Sequence, residues 1–149
     1  MLGGGPIGCE LAQSFARLGS QVTQVEMLPR IMIREDEEVS VLARRALEAD
    51  GVRVLTGHKA LRCVKEQGPE GERKFIVLDN AGAELRVEFD QLLCAVGRVA
   101  RLKGYGLEEL GIPVGRTIET NEYLETIYPN ILAAGDVAGP YQFTHTAAH

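Results

Sequence analysis

The stretch Gly3-Gly4-Gly5-Pro6-Ile7-Gly8 constrains this chain most, because its glycines stand in the order G-x-G-x-x-G immediately before a helical pattern. Each glycine of that order answers a separate physical demand. The first permits a tight turn, the second lets the backbone come close to a pyrophosphate, and the third lets a helix pack closely on a strand. The helix amino end then offers free N–H groups and the positive end of its dipole to an anion. A glycine-rich surface turn satisfies the same letters, so the context has to decide. Only Met1 and Leu2 precede the loop, fewer than the roughly five residues of an ordinary strand.

The context is a strand, helix and strand in sequence. Ile7, Leu11, Phe15 and Leu18 recur at helical spacing up to Gly19, which stands where a C-terminal glycine cap belongs. QVTQVE (21–26) alternates and reads as a strand ending at Glu26. A second helix follows, with Asp36 as its cap, Glu37 and Glu38 at the positive end of its dipole, and Val39, Leu42, Ala43, Ala46 and Leu47 on one face. VRVL (52–55) is the next strand, and the order calls for parallel pairing through a right-handed crossover.

Glu26 lies 23 residues after Gly3, at the carboxyl end of the second strand position. An acid there accepts hydrogen bonds from the ribose hydroxyls of NAD. It also disfavours the 2′-phosphate of NADP; no arginine follows it directly, and Arg30 is the nearest. Loop, helix, strand and acid in register point to a dinucleotide site that prefers NAD(H) over NADP(H).

Beyond residue 57 the period changes. ALRCV, KFIVL and LRVEF, separated by the turn signals GPEGE and NAG, read as three antiparallel strands over 58–90. LLCAVG (92–97) reads as a strand buried on both faces, LEEL as a short helix, and NILAAGDVAG (130–139) as another apolar strand. The 149 residues carry 16 basic and 21 acidic side chains, a net charge of −5 that argues against a nucleic-acid partner. No apolar run approaches the roughly 20 residues of a membrane span, which points to no membrane partner and a cytoplasmic protein. Cys9, Cys63 and Cys94 form no C-x-x-C pair and no metal-ligand pattern; each reads as a small buried hydrophobe, and no metal is expected.

With GGGPIGCE, VEMLPRI, AVGR and ILAAGDV in this order, the chain resembles the nicotinamide-dinucleotide domain of the flavin-dependent pyridine nucleotide–disulfide oxidoreductases. The resemblance covers nearly the whole chain. It implies an α/β fold, a Rossmann-like parallel sheet with an antiparallel three-stranded meander, here with the first strand truncated. It assigns 1–119 to the NAD(H)-binding domain and 120–149 to a piece of the FAD-binding domain. By the same resemblance Gly3 through Gly8 bind the pyrophosphate, Glu26 the adenosine ribose, and Gly97 closes over the dinucleotide, while Ala60 meets adenine. Glu10 lies beside flavin and nicotinamide in a supporting catalytic role, paired with a lysine of the flavin domain. Asp136 binds the ribityl chain of FAD, and Thr144 and His145 of QFTH follow along the flavin. The family's catalytic histidine belongs to an interface domain, so neither His145 nor His149 takes that role. Ala100 stands where the commoner G-R-x-P pattern has proline.

The resemblance further implies an excised piece, with hydride passing from NADH to FAD in the intact parent and the piece inactive alone. Its expected partners are the missing flavin and interface domains and a second copy in a homodimer. NILAA is the candidate to fill the place of the missing central strand, through an exchange between two copies. Related readings are an NADH oxidase or ferredoxin reductase with the same domain, or a stand-alone NAD-binding sensor. The substrate is not legible, with a lean toward mercuric-reductase-like relatives.

Overall fold

In a computed structural model of the protein, residues 1–69, 71–139 and 147–148 are described. The elements are α1 (Pro6–Arg17), β1 (Thr23–Glu26), α2 (Glu37–Ala49), β2 (Arg53–Thr56), β3 (Lys59–Gly68), β4 (Gly71–Asn80) and β5 (Ala83–Glu88), followed by a single 3-10 turn at Gly135–Val137. Two compact units divide at Gly97 and Arg98.

In the first unit β1 and β2 pair in parallel, with Gln24 opposite Val54 and Glu26 opposite Thr56. The central place beside β1 is taken by Met1 to Gly3. Leu2 bridges Val25 on one side and Cys94 on the other, both in parallel. Four backbone bonds of 2.7–2.9 Å fix this: Leu2 N–H to Leu93 O, Ala95 N–H to Leu2 O, Gly3 N–H to Val25 O, and Val25 N–H to Met1 O. The central strand is as short as the sequence implies. Within the single chain NILAA does not take this place: Leu132 makes an antiparallel bridge to Glu125 in the second unit.

Side chains alternate across this small sheet. Val54 joins Ala12, Ile31, Leu47 and Val52 in one core, into which Cys9, Ala16 and Ala43 of the helices pack. Val25 faces the other way, into a core with Ile76 and Leu78 of the meander. The meander itself is antiparallel, in the order β3-β4-β5, with a bulge between Ala60 and Arg62.

The helix ends follow local chemistry. α1 begins on Gly5 with Pro6 at its first position, where a missing N–H costs nothing. It ends as expected at Gly19, whose φ of 95° only glycine adopts freely and whose N–H reaches Ala16 O at 2.9 Å. Asp36 is the N-cap residue of α2, yet its side chain makes no capping hydrogen bond. The buried face of α2 also differs from the expected one: Ser40 and Leu47 are buried and Ala43 partly so, whereas Val39 and Leu42 are exposed. Ser40 fits there because its hydroxyl donates to Ile31 O at 2.7 Å.

Three further expectations change. LLCAVG forms no strand beyond the bridge at Cys94, and Cys94 and Val96 are exposed. LEEL is a turn, closed by the Ile112 N–H to Leu107 O bond of 2.9 Å, and NILAAGDV is one bridge leading into the 3-10 turn. Of the cysteines only Cys9 is partly buried, and Cys63 and Cys94 are exposed. Apolar runs in this chain therefore do not all find a covering layer.

The second unit has its own small core of Leu107, Ile112, Ile118 and Ala133. Ile118 N–H donates to Val137 O at 2.7 Å, which holds the 3-10 turn against the Val114–Ile118 hairpin. Among the described residues no helix is long and apolar enough to cross a membrane.

Candidate functional site

The three motif glycines meet three different surroundings. A Cβ on Gly3 would lie 2.3 Å from Ala95 O, and its φ of 103° is already a glycine conformation. A Cβ on Gly8 would lie 2.2 Å from Gly3 O, so a side chain there would force the helix off the turn. Gly5 is the opposite case: a Cβ there meets nothing within 4 Å. The loop is closed on its protein side by Gly3 and Gly8 and open above Gly5.

The donors at that opening have no partner among the described residues. Pro6 has no N–H, and Cys9 N–H makes the first helical bond, to Gly5 O at 3.0 Å. Among the described residues the N–H groups of Gly5, Ile7 and Gly8 are unbonded, at the amino end of a 12-residue helix with no acidic residue in its first turn. Such an end attracts an anion.

Glu26 stands beside this opening with its carboxylate already oriented. Its Oε2 accepts Gly4 N–H at 2.6 Å and its Oε1 accepts Leu28 N–H at 2.8 Å. Each oxygen keeps a lone pair for a hydroxyl donor. Behind it, Gly57 and His58 donate to Leu28 O at 2.9 Å and Glu26 O at 3.0 Å, so the turn after β2 braces the end of β1. His58 escaped the sequence reading, and Ala60 follows two residues later on the exposed part of β3.

Arg30 is committed elsewhere. Its guanidinium donates to Met32 O at 3.3 Å, Glu35 O at 2.8 Å and Ile33 O at 3.2 Å, tying up the bend that precedes α2. Beneath the loop, fully buried Gln24 donates from Nε2 to Gly3 O at 3.0 Å and to Cys9 Sγ at 3.5 Å. Cys9 Sγ in turn contacts Gly4 O at 3.5 Å. Burial raises the Cys9 pKa, the bond from Gln24 opposes that rise, and Glu10 and Glu26 add to it. Gln24 was also unforeseen; its signal is a polar residue two before Glu26, on the same face of the strand.

Thus Gly3, Gly4, Gly5, Pro6, Ile7, Gly8 and Glu26 share one place. Gly97, with a φ of 117°, lies two residues beyond Ala95, whose carbonyl abuts Gly3. Glu10 is exposed on α1 with no side-chain partner among the described residues. Asp136 lies in the second unit, half-exposed, with Arg98 Nη1 3.6 Å from its Oδ2. Thr144 and His145 lie outside the described residues.

A family model described as pyridine nucleotide-disulphide oxidoreductase matches residues 1–149. The chain belongs to this family. Among pyridine nucleotide-disulphide oxidoreductases it is similar to dihydrolipoyl dehydrogenase of Thermus scotoductus, 40% identical over 99% of this chain and 32% of that protein. It is also similar to mercuric reductase of Streptomyces lividans, 38% identical over 99% of this chain and 31% of the other. Its fold matches the HOCl-induced flavoprotein disulfide reductase RclA from Escherichia coli, with a TM-score of 0.78 and 32% identity over 98% of this chain and 32% of that one. The chain spans about a third of the length of these relatives.

Proposed function

We propose that this chain is the NAD(H)-binding part of a flavin-dependent pyridine nucleotide–disulfide oxidoreductase. The observation that carries the reading is the open face of Gly5, with three N–H groups behind it that are unbonded among the described residues and the oriented Glu26 carboxylate beside it. These residues fit a dinucleotide: the N–H groups of Gly5, Ile7 and Gly8 would hold the pyrophosphate, and Glu26 would accept from the adenosine ribose hydroxyls. The open space at Gly5 is what lets phosphate oxygens approach the main chain.

Preference for NAD(H) follows from charge. A 2′-phosphate would face the Glu26 carboxylate, and the guanidinium of Arg30 is bound to three carbonyls of its own loop. When bound, the nicotinamide supplies hydride and FAD accepts it. In this reading Glu10 of α1 faces the flavin side, Asp136 binds the flavin polyol, and Gly97 borders the dinucleotide. The flavin and interface domains and a second copy are the proposed partners, the electron acceptor is a disulfide or a related group, and the chain alone binds nucleotide without turning it over. Three free cysteines suit a cytoplasmic setting. Calorimetric titration with NADH and NADPH tests the reading: saturable NADH binding with weaker NADPH supports it, and tighter NADPH binding removes the preference.

A further inference from the structure

Two side chains of β1 hold one peptide group of the loop by its two ends. Gln24 and Glu26 are two residues apart, so both point to the same face of the strand. Gln24 Nε2 donates to Gly3 O at 3.0 Å, while Glu26 Oε2 accepts Gly4 N–H at 2.6 Å. These are the carbonyl and the N–H of a single peptide bond, and a trans peptide aims them in opposite directions. Fixing the carbonyl end therefore fixes where the N–H end points, and with it the Glu26 carboxylate.

From this geometry we infer that Gln24 is a positioning residue of the nucleotide loop, an inference that rests on the reading of the loop as a dinucleotide site. Gln24 is fully buried opposite Val54 of β2, and its own Oε1 has no partner among the described residues. A buried amide that leaves its acceptor unmet is there for its donors. Those donors serve the loop: one satisfies Gly3 O, which accepts no other bond among the described residues, and the other reaches Cys9 Sγ, which contacts Gly4 O. Gly3 O is thus tied down from below by Gln24, Gly4 O accepts Met32 N–H at 2.6 Å with Cys9 Sγ at 3.5 Å beside it, and the peptide N–H of Gly5 is left facing away from Gly4 O, toward the open side. Among the described residues no other β1 side chain donates to Gly3 O, and the Val25 side chain points into the opposite core.

The test uses the full chain and two variants of nearly the same shape. Gln24→Met fills the space and donates nothing; Gln24→Glu donates only while its carboxyl is protonated, a state that burial favours. Amide hydrogen exchange followed by NMR reads the grip directly. Gln24→Met is expected to speed Gly4 N–H exchange about tenfold while that of Arg53 is unchanged, and to weaken NADH binding about tenfold. Gln24→Glu is expected to bind NADH like the wild type at acidic pH and to lose affinity as pH rises, measured against the wild-type profile, which carries any contribution of Glu26 and Cys9. A folded Gln24→Met chain with unchanged Gly4 exchange and NADH affinity overturns the inference. So does a Gln24→Glu profile parallel to the wild type, which decides the matter if the methionine chain does not fold. Failure of the wild type to bind NADH sinks the functional reading instead, and Gly4 exchange still decides whether Gln24 sets the loop.

Discussion

The main-chain N–H of Gly4 donates to Glu26 Oε2 at 2.6 Å, so the acid at the end of β1 and the turn of the glycine loop are one hydrogen-bonded unit. The second oxygen accepts Leu28 N–H. Replacing the carboxylate by an amide removes the charge and puts a donor against one of these N–H groups. Glu26→Gln is therefore expected to weaken NADH binding by about tenfold to a hundredfold, since hydrogen bonds to charged groups contribute about 1.5–3 kcal/mol. Calorimetric titration of the two proteins checks this, with a thermal melt to show that both are folded.

The glycines at the ends of the loop are packing residues. Gly3→Ala and Gly8→Ala would bring a methyl to 2.3 Å and 2.2 Å from backbone oxygens, which cannot rotate aside. Each substitution is expected to cost at least about 1–3 kcal/mol of stability, visible as a lowered denaturation midpoint in the absence of any nucleotide.

Arg30 gives a prediction of the opposite kind. Because its guanidinium closes the bend over 30–35, Arg30→Ala should lower thermal stability and leave the ratio of NADH to NADPH affinity unchanged. A selective loss of NADPH affinity would show that the side chain leaves its carbonyls to meet a phosphate.

Thiol chemistry separates the cysteines. Cys63 and Cys94 are exposed, whereas Cys9 is partly buried and burial raises its pKa. Since the thiolate is the reactive form, a chromogenic disulfide reagent at neutral pH should titrate two thiols quickly and the third slowly. Cys9→Ala should remove the slow phase alone.

Asp50 sets an acid limb of stability. Its carboxylate is held below the ordinary value of 3.8 by the bond from Gln13 at 2.6 Å and then by that from Arg17, both of α1. A group whose folded pKa is depressed contributes stability above its unfolded value and loses it as pH falls through the folded one. Melting temperatures measured from pH 6 to pH 3 should therefore fall less steeply for Asp50→Asn than for the wild type.

Much of this arrangement is legible in the residues. Glycines that fill no space, a capping Gly19 and an acid at a strand end each have one local physical reason, and each appears where its letters put it. Burial is less local. LLCAVG and NILAAGDV carry the composition of buried strands, yet Cys94, Val96 and Leu132 are exposed, because an apolar run does not specify what covers it. The face of α2 shifts for the same reason: Ser40 turns inward once Ile31 O needs a donor, and Leu42 turns out. Gln24 and His58 were missed because their roles come from contacts with residues far along the chain, Gly3 O for Gln24 and Glu26 O for His58.

In the proposed function a dinucleotide pyrophosphate sits on the open side of Gly5. Gly5 has a φ of −77°, which any residue adopts, and free space where a Cβ would go, so Gly5→Ala should leave the melting temperature unchanged. Titration of both proteins with NADH is the most direct measurement. The structure predicts saturable binding by the wild type and its loss in Gly5→Ala; equal NADH binding by a normally folded Gly5→Ala protein would contradict it.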